Sequence, residues 1–542
     1  MNRKKFLTVL LVCLMAMTML PVALMAEEVP AGPAEYPAEG YPIQLEDGSP
    51  LQIVYWAPLN GNVSAGYTNL GDTPIYQELM ERTGVEIEFL HPAAGNDVEA
   101  LTLMLSGGDL PDVIEYSWRN FAGGPAKAIN DYAILPLNDL IAEHAPALSS
   151  FLDKNDDVKQ QIMTDDGVIY SFPFVRGDEN LQVSGGLVIR EDWLNDLGLE
   201  VPETIEDWEV ALTAFKDEKG ATAPLTYEPY TFPWANFQGA YGVGESFYLK
   251  EDGSVAYGPI EPGYKDFLET FSRWYQNGLI DPDIATATGQ TVNAYMTNGQ
   301  AGATTGWVAS RIGVLMSAGV EQDENYSVVG TPNPVTEGVE VNRFGQYDFA
   351  APPQAVAITP DAEYPELVAK FLDYGYTDEG HLLMNFGIEG VSYEMIDGYP
   401  TYTETVTSDP EIPFAQALAS YVRSNYNGPF VQDIRYAEQY FPLPQQQDAY
   451  QLWASTSLGG ETFMPPVTPS EDESRDFATI MNEVEAYKGE MFTKFLMGDE
   501  PIENFDAYVE TIKGMNIDRA IEIQEAALER YNGRLSEAAE AE

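Results

Sequence analysis

The chain has 542 residues, a formal charge of −59 at pH 7, and 44% hydrophobic and 12% aromatic residues. At roughly 100–200 residues per domain, that length allows two to four domains or two large lobes with a sizeable core. The 86 acidic residues against 27 basic ones argue against a nucleic-acid partner, because phosphate repels such a surface, and against attachment to an anionic membrane through basic patches.

Arg3, Lys4 and Lys5 precede an almost wholly apolar run from Phe6 to Leu20, which Pro21 breaks. Ala23 and Ala26 are small enough for cleavage, so residues 1–26 read as a signal peptide. The protein is then expected to be secreted, at the extracellular face of the cell membrane or in the cell wall. The only cysteine, Cys13, lies inside the apolar run after Val12, a poor context for a lipid anchor. Without it the mature chain has no disulfide, thiolate or cysteine metal site. Residues 27–48, rich in Pro, Glu, Ala and Gly, read as a flexible acidic tether.

Leu51-Gln52-Ile53-Val54-Tyr55-Trp56 opens the folded part as a strand. Thr73-Pro74 caps a helix that closes at Gly84. Val85 to Phe89 alternates with period two, hence a second strand. A helix over about Val98–Leu105 stops at Gly107-Gly108, and Asp112–Tyr116 is the third strand. Such a β-α-β-α-β run predicts a parallel sheet, whose ligands bind beyond the carboxyl ends of the strands. Tyr116 and Trp118 stand at that end.

Asp165-Asp166-Gly167 marks a hairpin between Met163 and Val168–Phe172. Leu187–Arg190 begins a second α/β stretch, and Thr204 with Asp207 forms a weak capping box. Tyr264–Asn277 has helical spacing. Ala301–Thr305 reads as a strand that Gly306-Trp307 turns into a helix. Val356–Ile358 is a strand, Pro365–Tyr374 and Glu379–Phe386 are helices, and the chain from about Phe414 is mostly helical.

The order of these segments, "LQIVYW", "SGGDLPDVIEYSW", "DDGVIYSFPFVRGDE", "GQAGATTGW" and "FLDYGYTDEGHLLMNFGIEGVSYE", resembles the extracellular solute-binding proteins of carbohydrate ABC importers, in particular the large lipoprotein-type oligosaccharide binders. The resemblance runs from about residue 50 to the C-terminus. It implies an α/β, two-lobed, periplasmic-binding-protein-like (type II) fold with a hinge and an interlobe cleft. The expected division is lobe 1 over 49–175, lobe 2 over 176–345, lobe 1 again over 346–395, a mainly helical part mostly in lobe 2 over 396–530, and a tail over 531–542. Passages between lobes are expected near 174–186, 345–356 and 390–401, where Pro and Gly cluster.

The resemblance also implies a role: a monomeric receptor that captures an oligosaccharide and hands it to a membrane permease. Sugars need aromatic plates for their C–H faces and fixed polar groups for their hydroxyls. The candidate plates are Tyr116 and Trp118 in the first lobe and Trp307 in the second, where relatives carry a tryptophan. Asn60, Asn62 and Asn69 follow the first strand and suit hydroxyl recognition, although Asn also serves turns for its own reasons. Arg176 and Asp178 lie at the first passage, where the arginine either grips ligand or makes a structural ion pair. Glu389 and Tyr393 flank the third passage, and Arg423, Tyr426, Asn427 and Arg435 lie in an aromatic and amide-rich stretch. A calcium loop found in some relatives is missing after Lys216, so neither metal nor cofactor is expected.

Catalysis is not expected. With 86 acidic residues, carboxylate pairs carry no information. No Gly-x-Ser-x-Gly elbow occurs, and His91, His144 and His381 are widely spaced. The alternatives are a peptide-binding or sensory module of the same fold and a secreted glycoside hydrolase.

Overall fold

The structure, a computed structural model, describes residues 36–337, 339–408, 412–424, 427–456 and 459–541. The signal segment, Cys13, most of the tether and Tyr426 lie outside them.

Two sheets organise the chain. The strands are β1 (Leu51–Trp56), β2 (Val85–Leu90), β3 (Val113–Ser117), β4 (Phe172–Arg176), β5 (Gly185–Arg190), β6 (Ala303–Trp307), β7 (Val328–Gly330), β8 (Gln354–Ile358) and β9 (Phe430–Gln432). The larger sheet has six strands in the order β9-β4-β8-β3-β1-β2. β1 pairs in parallel with both β2 and β3, as the β-α-β-α-β pattern requires. Helix α1 (Pro74–Thr83) joins β1 to β2, with Pro74 in its first turn and Gly84 left-handed (φ 71°) at its end. Helix α2 (Asp97–Gly107) joins β2 to β3, and α3 (Gly124–Asn130) follows β3. β8 returns antiparallel between β3 and β4.

The smaller sheet, β6-β5-β7, is antiparallel in both pairings, which the local strand signals did not reveal. Helices cover it. Ile205–Asp217 and Pro262–Gln276 supply Trp208, Phe215, Phe271 and Trp274, all fully buried in its core. The capping box at the start of Ile205–Asp217 is complete: Thr204 Oγ1 accepts from the Asp207 N–H, and Asp207 Oδ2 accepts from the Thr204 N–H, both at 3.1 Å.

The chain passes from β4 to β5 through residues 177–184 and from β7 to β8 through a stretch ending at 353. These two passages are stitched together. The Arg176 N–H donates to the Ala350 carbonyl and the Asp348 N–H to the Gln182 carbonyl, each at 2.8 Å. Gln346 Oε1 accepts from the Ser184 N–H at 2.6 Å and the Gly185 N–H at 3.1 Å. The third passage is not at 390–401. Those residues form a tight antiparallel hairpin, Tyr393–Ile396 with Tyr399–Tyr402, so their glycines serve a turn. The chain instead leaves the larger sheet after β9, through α4 (Ile434–Tyr440), to α5 (Pro444–Thr456), which lies on β5 and β7. There Trp453 Nε1 donates to the Thr331 carbonyl at 3.0 Å.

The last helix, α6 (Ile517–Ala541), starts in the smaller sheet's core, with Ile517 and Ala520 fully buried. Further along, it docks on the hairpin that precedes β4. Arg530 Nε and Arg534 Nη2 each lie 2.7 Å from the Asp165 carboxylate, and Gln160 Nε2 donates to the Tyr531 carbonyl at 2.6 Å.

Candidate interlobe binding cleft

Trp307 ends β6, two residues later than the sequence pattern implies, and a π-helical stretch Val308–Gly313 follows at once. It pairs with Gly185, beside the Gly306–Gly186 pair. Both glycines are needed. A Cβ on Gly186 would lie 2.6 Å from the Trp453 ring, and one on Gly306 would lie 2.5 Å from Arg311 Cβ. This close packing fixes the strand end, and the Trp307 side chain remains partly exposed at the rim.

Trp307 lines two cavities. One, about 230 Å³, extends past Tyr248, Phe344, Gln346, Tyr347, Asp348 and Phe463. The other, about 350 Å³, includes Phe174 and Arg176 of β4, Gln432 of β9, Tyr436 and Tyr440 of α4, and Tyr450 of α5. The second cavity therefore draws its walls from both sheets: β4 and β9 on one side, β6 on the other.

Its polar groups are incompletely used. Arg176 Nε, Gln432 Oε1 and Tyr450 Oη are buried and make no hydrogen bond to described residues. One is a donor, one an acceptor and one either, and a buried polar atom without a partner costs about 1–3 kcal/mol. Burial pushes the Tyr450 and Tyr436 hydroxyls well up, so both stay protonated. Arg176 Nη2 lies 2.6 Å from Asp348 Oδ2. Burial raises the Asp348 carboxyl, and the Arg176 charge offsets part of that rise. The arginine's partner is thus Asp348, across the two stitched passages, and not the neighbouring Asp178 or Glu179.

Of the sequence-derived candidates, Trp307, Arg176 and Asn427 come together at this cavity. Tyr116 and Trp118 do not. They are 5% and 0% exposed, edge to face at 5.5 Å, in a core with Ala128 of α3, Ala133 and Ile134. A short turn, Trp118–Asn120, and α3 follow β3 directly and cover its tip. Asn60 and Asn69 are helix caps: Asn60 Oδ1 accepts from the Asn62 N–H and Asn69 Oδ1 from the Gly71 N–H, both at 2.8 Å. Asn69 also donates to the Phe89 carbonyl. Neither they nor Asn62 lines either cavity. Asp178 caps the turn at Glu179–Gln182. Glu389 is exposed and bridges to Tyr393, which is buried against Phe386.

Arg423 is 2% exposed and pairs with Glu115 of β3 at 2.9 Å, with Tyr76 Oη at 2.7 Å. It holds the fold together and lines neither cavity. Its Nε donates to the Asn427 carbonyl, which leaves the Asn427 side chain at the cavity. Arg435 is bound to Asp433 at 2.5 Å, and His381 Nε2 lies 2.8 Å from the same carboxylate. These partners hold the Asp433 carboxyl below the usual carboxylate range.

The residues that the sequence reading missed are Tyr436, Tyr440 and Tyr450 and the Tyr347–Asp348 corner. The first two belong to a dense aromatic run, "YAEQYF" at 436–441, the only local signal. Tyr450 and Tyr347 carry none.

The profile of the family described as bacterial extracellular solute-binding protein matches residues 67–381. The fructooligosaccharide ABC transporter substrate-binding protein FusA of Streptococcus pneumoniae serotype 4 is 25% identical over 382 residues, 66% of this chain and 67% of its own. Among solved structures, the alginate-binding protein AlgQ2, without calcium ion, superposes with a TM-score of 0.71 at 23% identity, over 89% of this chain and 98% of its own. An HMO-binding, ABC-transporter-associated solute-binding protein from Bifidobacterium longum infantis superposes with a TM-score of 0.72 at 17% identity, over 90% and 99%. The shared fold is the two-lobed, type II periplasmic-binding-protein-like one.

Proposed function

The chain belongs to the bacterial extracellular solute-binding protein family, and from that premise we propose that it is the receptor of an ABC importer, which captures an oligosaccharide in the cleft and delivers it to a membrane permease unchanged. The observation that carries this reading is Trp307. It is a partly exposed indole at a strand end, shared by two cavities, one of which is walled by both sheets. An aromatic face suits the C–H face of a sugar ring, and the Arg176, Gln432 and Tyr450 side chains that line the cavity bring donors and acceptors for its hydroxyls. Contacts to both sides are what let a ligand favour a closed arrangement, since only differential contacts shift such an equilibrium.

The reading extends to a monomer held outside the cell. Lobe 1 then comprises 49–175 and 346–432, and lobe 2 comprises 176–345 and most of the chain after β9. Among the described residues no helix is long and apolar enough to cross a membrane.

A glycan library screened by thermal shift, with product analysis, tests the proposal. A saturable rise in melting temperature without turnover is the expected result. Trp307→Ala should weaken the best ligand at least tenfold, about 1.4 kcal/mol, in a protein that still melts cooperatively. Glycan cleavage in the same assay points to a hydrolase, and shifts with peptides alone point to a peptide-binding module. Either outcome sinks the proposal.

A further inference from the structure

We infer that the cleft takes an uncharged oligosaccharide and rejects chains that carry uronate carboxylates; the inference rests on the oligosaccharide reading above. Among the described residues lining the two cavities, only Arg176, Asp348 and Glu245 are acidic or basic. There is no lysine or histidine. Arg176 is the single cation, and Asp348 compensates it at 2.6 Å. Glu245, at the rim, adds no cation, and burial raises its carboxyl while Lys488 offsets part of that rise.

The cations just behind the lining are also engaged. Arg423 is paired with Glu115 at 2.9 Å, Arg435 with Asp433 at 2.5 Å, and Arg343 with Glu461 at 2.6 Å. Lys488 is 2.5 Å from Glu485. The hydroxyls of the cleft feel further carboxylates: Asp178 and Glu438 act on Tyr450, and Asp157 and Glu179 on Tyr347. More distant charges of this acidic chain are screened within about 8 Å in physiological salt, so the local set decides.

A uronate entering this cleft gives up its hydration and meets no cation that lacks a carboxylate of its own. An ion moved out of water without a partner is strongly disfavoured. A neutral polyol faces no such loss. Its hydroxyls both donate and accept, which matches the donors and acceptors that Arg176, Gln432 and Tyr450 bring to the lining, and its ring faces meet Trp307.

Matched pairs of oligosaccharides test this directly on the full chain: glucuronate, galacturonate and mannuronate oligomers, each beside the neutral oligomer obtained by reducing its carboxyls. Neutral fructo- and gluco-oligosaccharides complete the panel. Titration calorimetry should show saturable binding only among neutral sugars, with each uronate at least tenfold weaker than its reduced partner. A uronate oligomer that binds more tightly than its reduced partner overturns the inference while leaving an oligosaccharide receptor intact. A folded protein that binds nothing in either class removes both readings. Asp348→Asn takes away the charge that compensates Arg176, and should raise affinity for the uronate oligomers at least tenfold; no gain in a variant that melts cooperatively counts against the inference.

Discussion

Trp118 and Trp307 occupy equivalent places in their two halves of the molecule, each an indole at the carboxyl end of a strand. Their fates are opposite. Trp118 is fully buried because a short turn and α3 fold straight back over the tip of β3. Trp307 stays at the rim because the helical stretch after β6 leaves beside it, with Arg311 folded onto Gly306. A strand-end aromatic here stays open to a cavity where the next element departs sideways. The larger sheet supplies its side of the cleft differently, through Phe174, Arg176 and Gln432 near the passages.

The closed end is the place to break this contrast most severely. Arg423→Met leaves the buried Glu115 carboxylate without its cation and should cost about 3–5 kcal/mol in urea unfolding. Replacing Glu115 by Leu in the same protein should restore much of that loss, because the unpaired charge is gone. Trp118→Ala opens a void in the core beneath α3 and should cost about 3–5 kcal/mol as well, with ligand affinity of the folded protein unchanged. Trp307→Ala should do the reverse, with little loss of stability and at least a tenfold loss of affinity. If the two tryptophan variants behaved alike, the distinction between covered and open strand ends would fail.

The smallest expected effect concerns Asp373, 3% exposed in the larger sheet's core, whose carboxylate accepts from the Ala147 and Leu148 N–H groups. Burial pushes its carboxyl up from 3.8 to about 6. The native protein then holds this proton more strongly than the unfolded chain. Its contribution to stability is fully present below the unfolded value and is lost as pH rises through about 6. Urea midpoints should therefore show a gain of about 1 kcal/mol from this group between about pH 7 and pH 5, and Asp373→Asn should flatten that slope.

Local chemistry made much of the fold legible. Thr73-Pro74 and Gly84 bracket α1 where expected, the alternation at Val85–Phe89 marks β2, and Thr204 with Asp207 caps its helix. What escaped was set by distant partners. Arg423 meets Glu115 across 308 positions, and Arg176 meets Asp348 across 172, so neither pairing leaves a trace in the neighbouring residues. Tyr116 and Trp118 misled for the same reason. Their own strand looks open at its end, and only the path of the following chain closes it. The place of Trp307 near a strand end was legible because a glycine beside a strand-end aromatic is itself a local signal.

The anchorage of α6 has a mechanical consequence. Arg530, Tyr531 and Arg534 grip the hairpin at Gln160–Asp165, while the adjacent Gln161 side chain accepts from the Ala351 N–H in the second passage. The helix therefore acts as a strut fastened next to the fulcrum. As long as those ion pairs hold, the core of the smaller sheet stays tied through one helix to the residues beside the second passage.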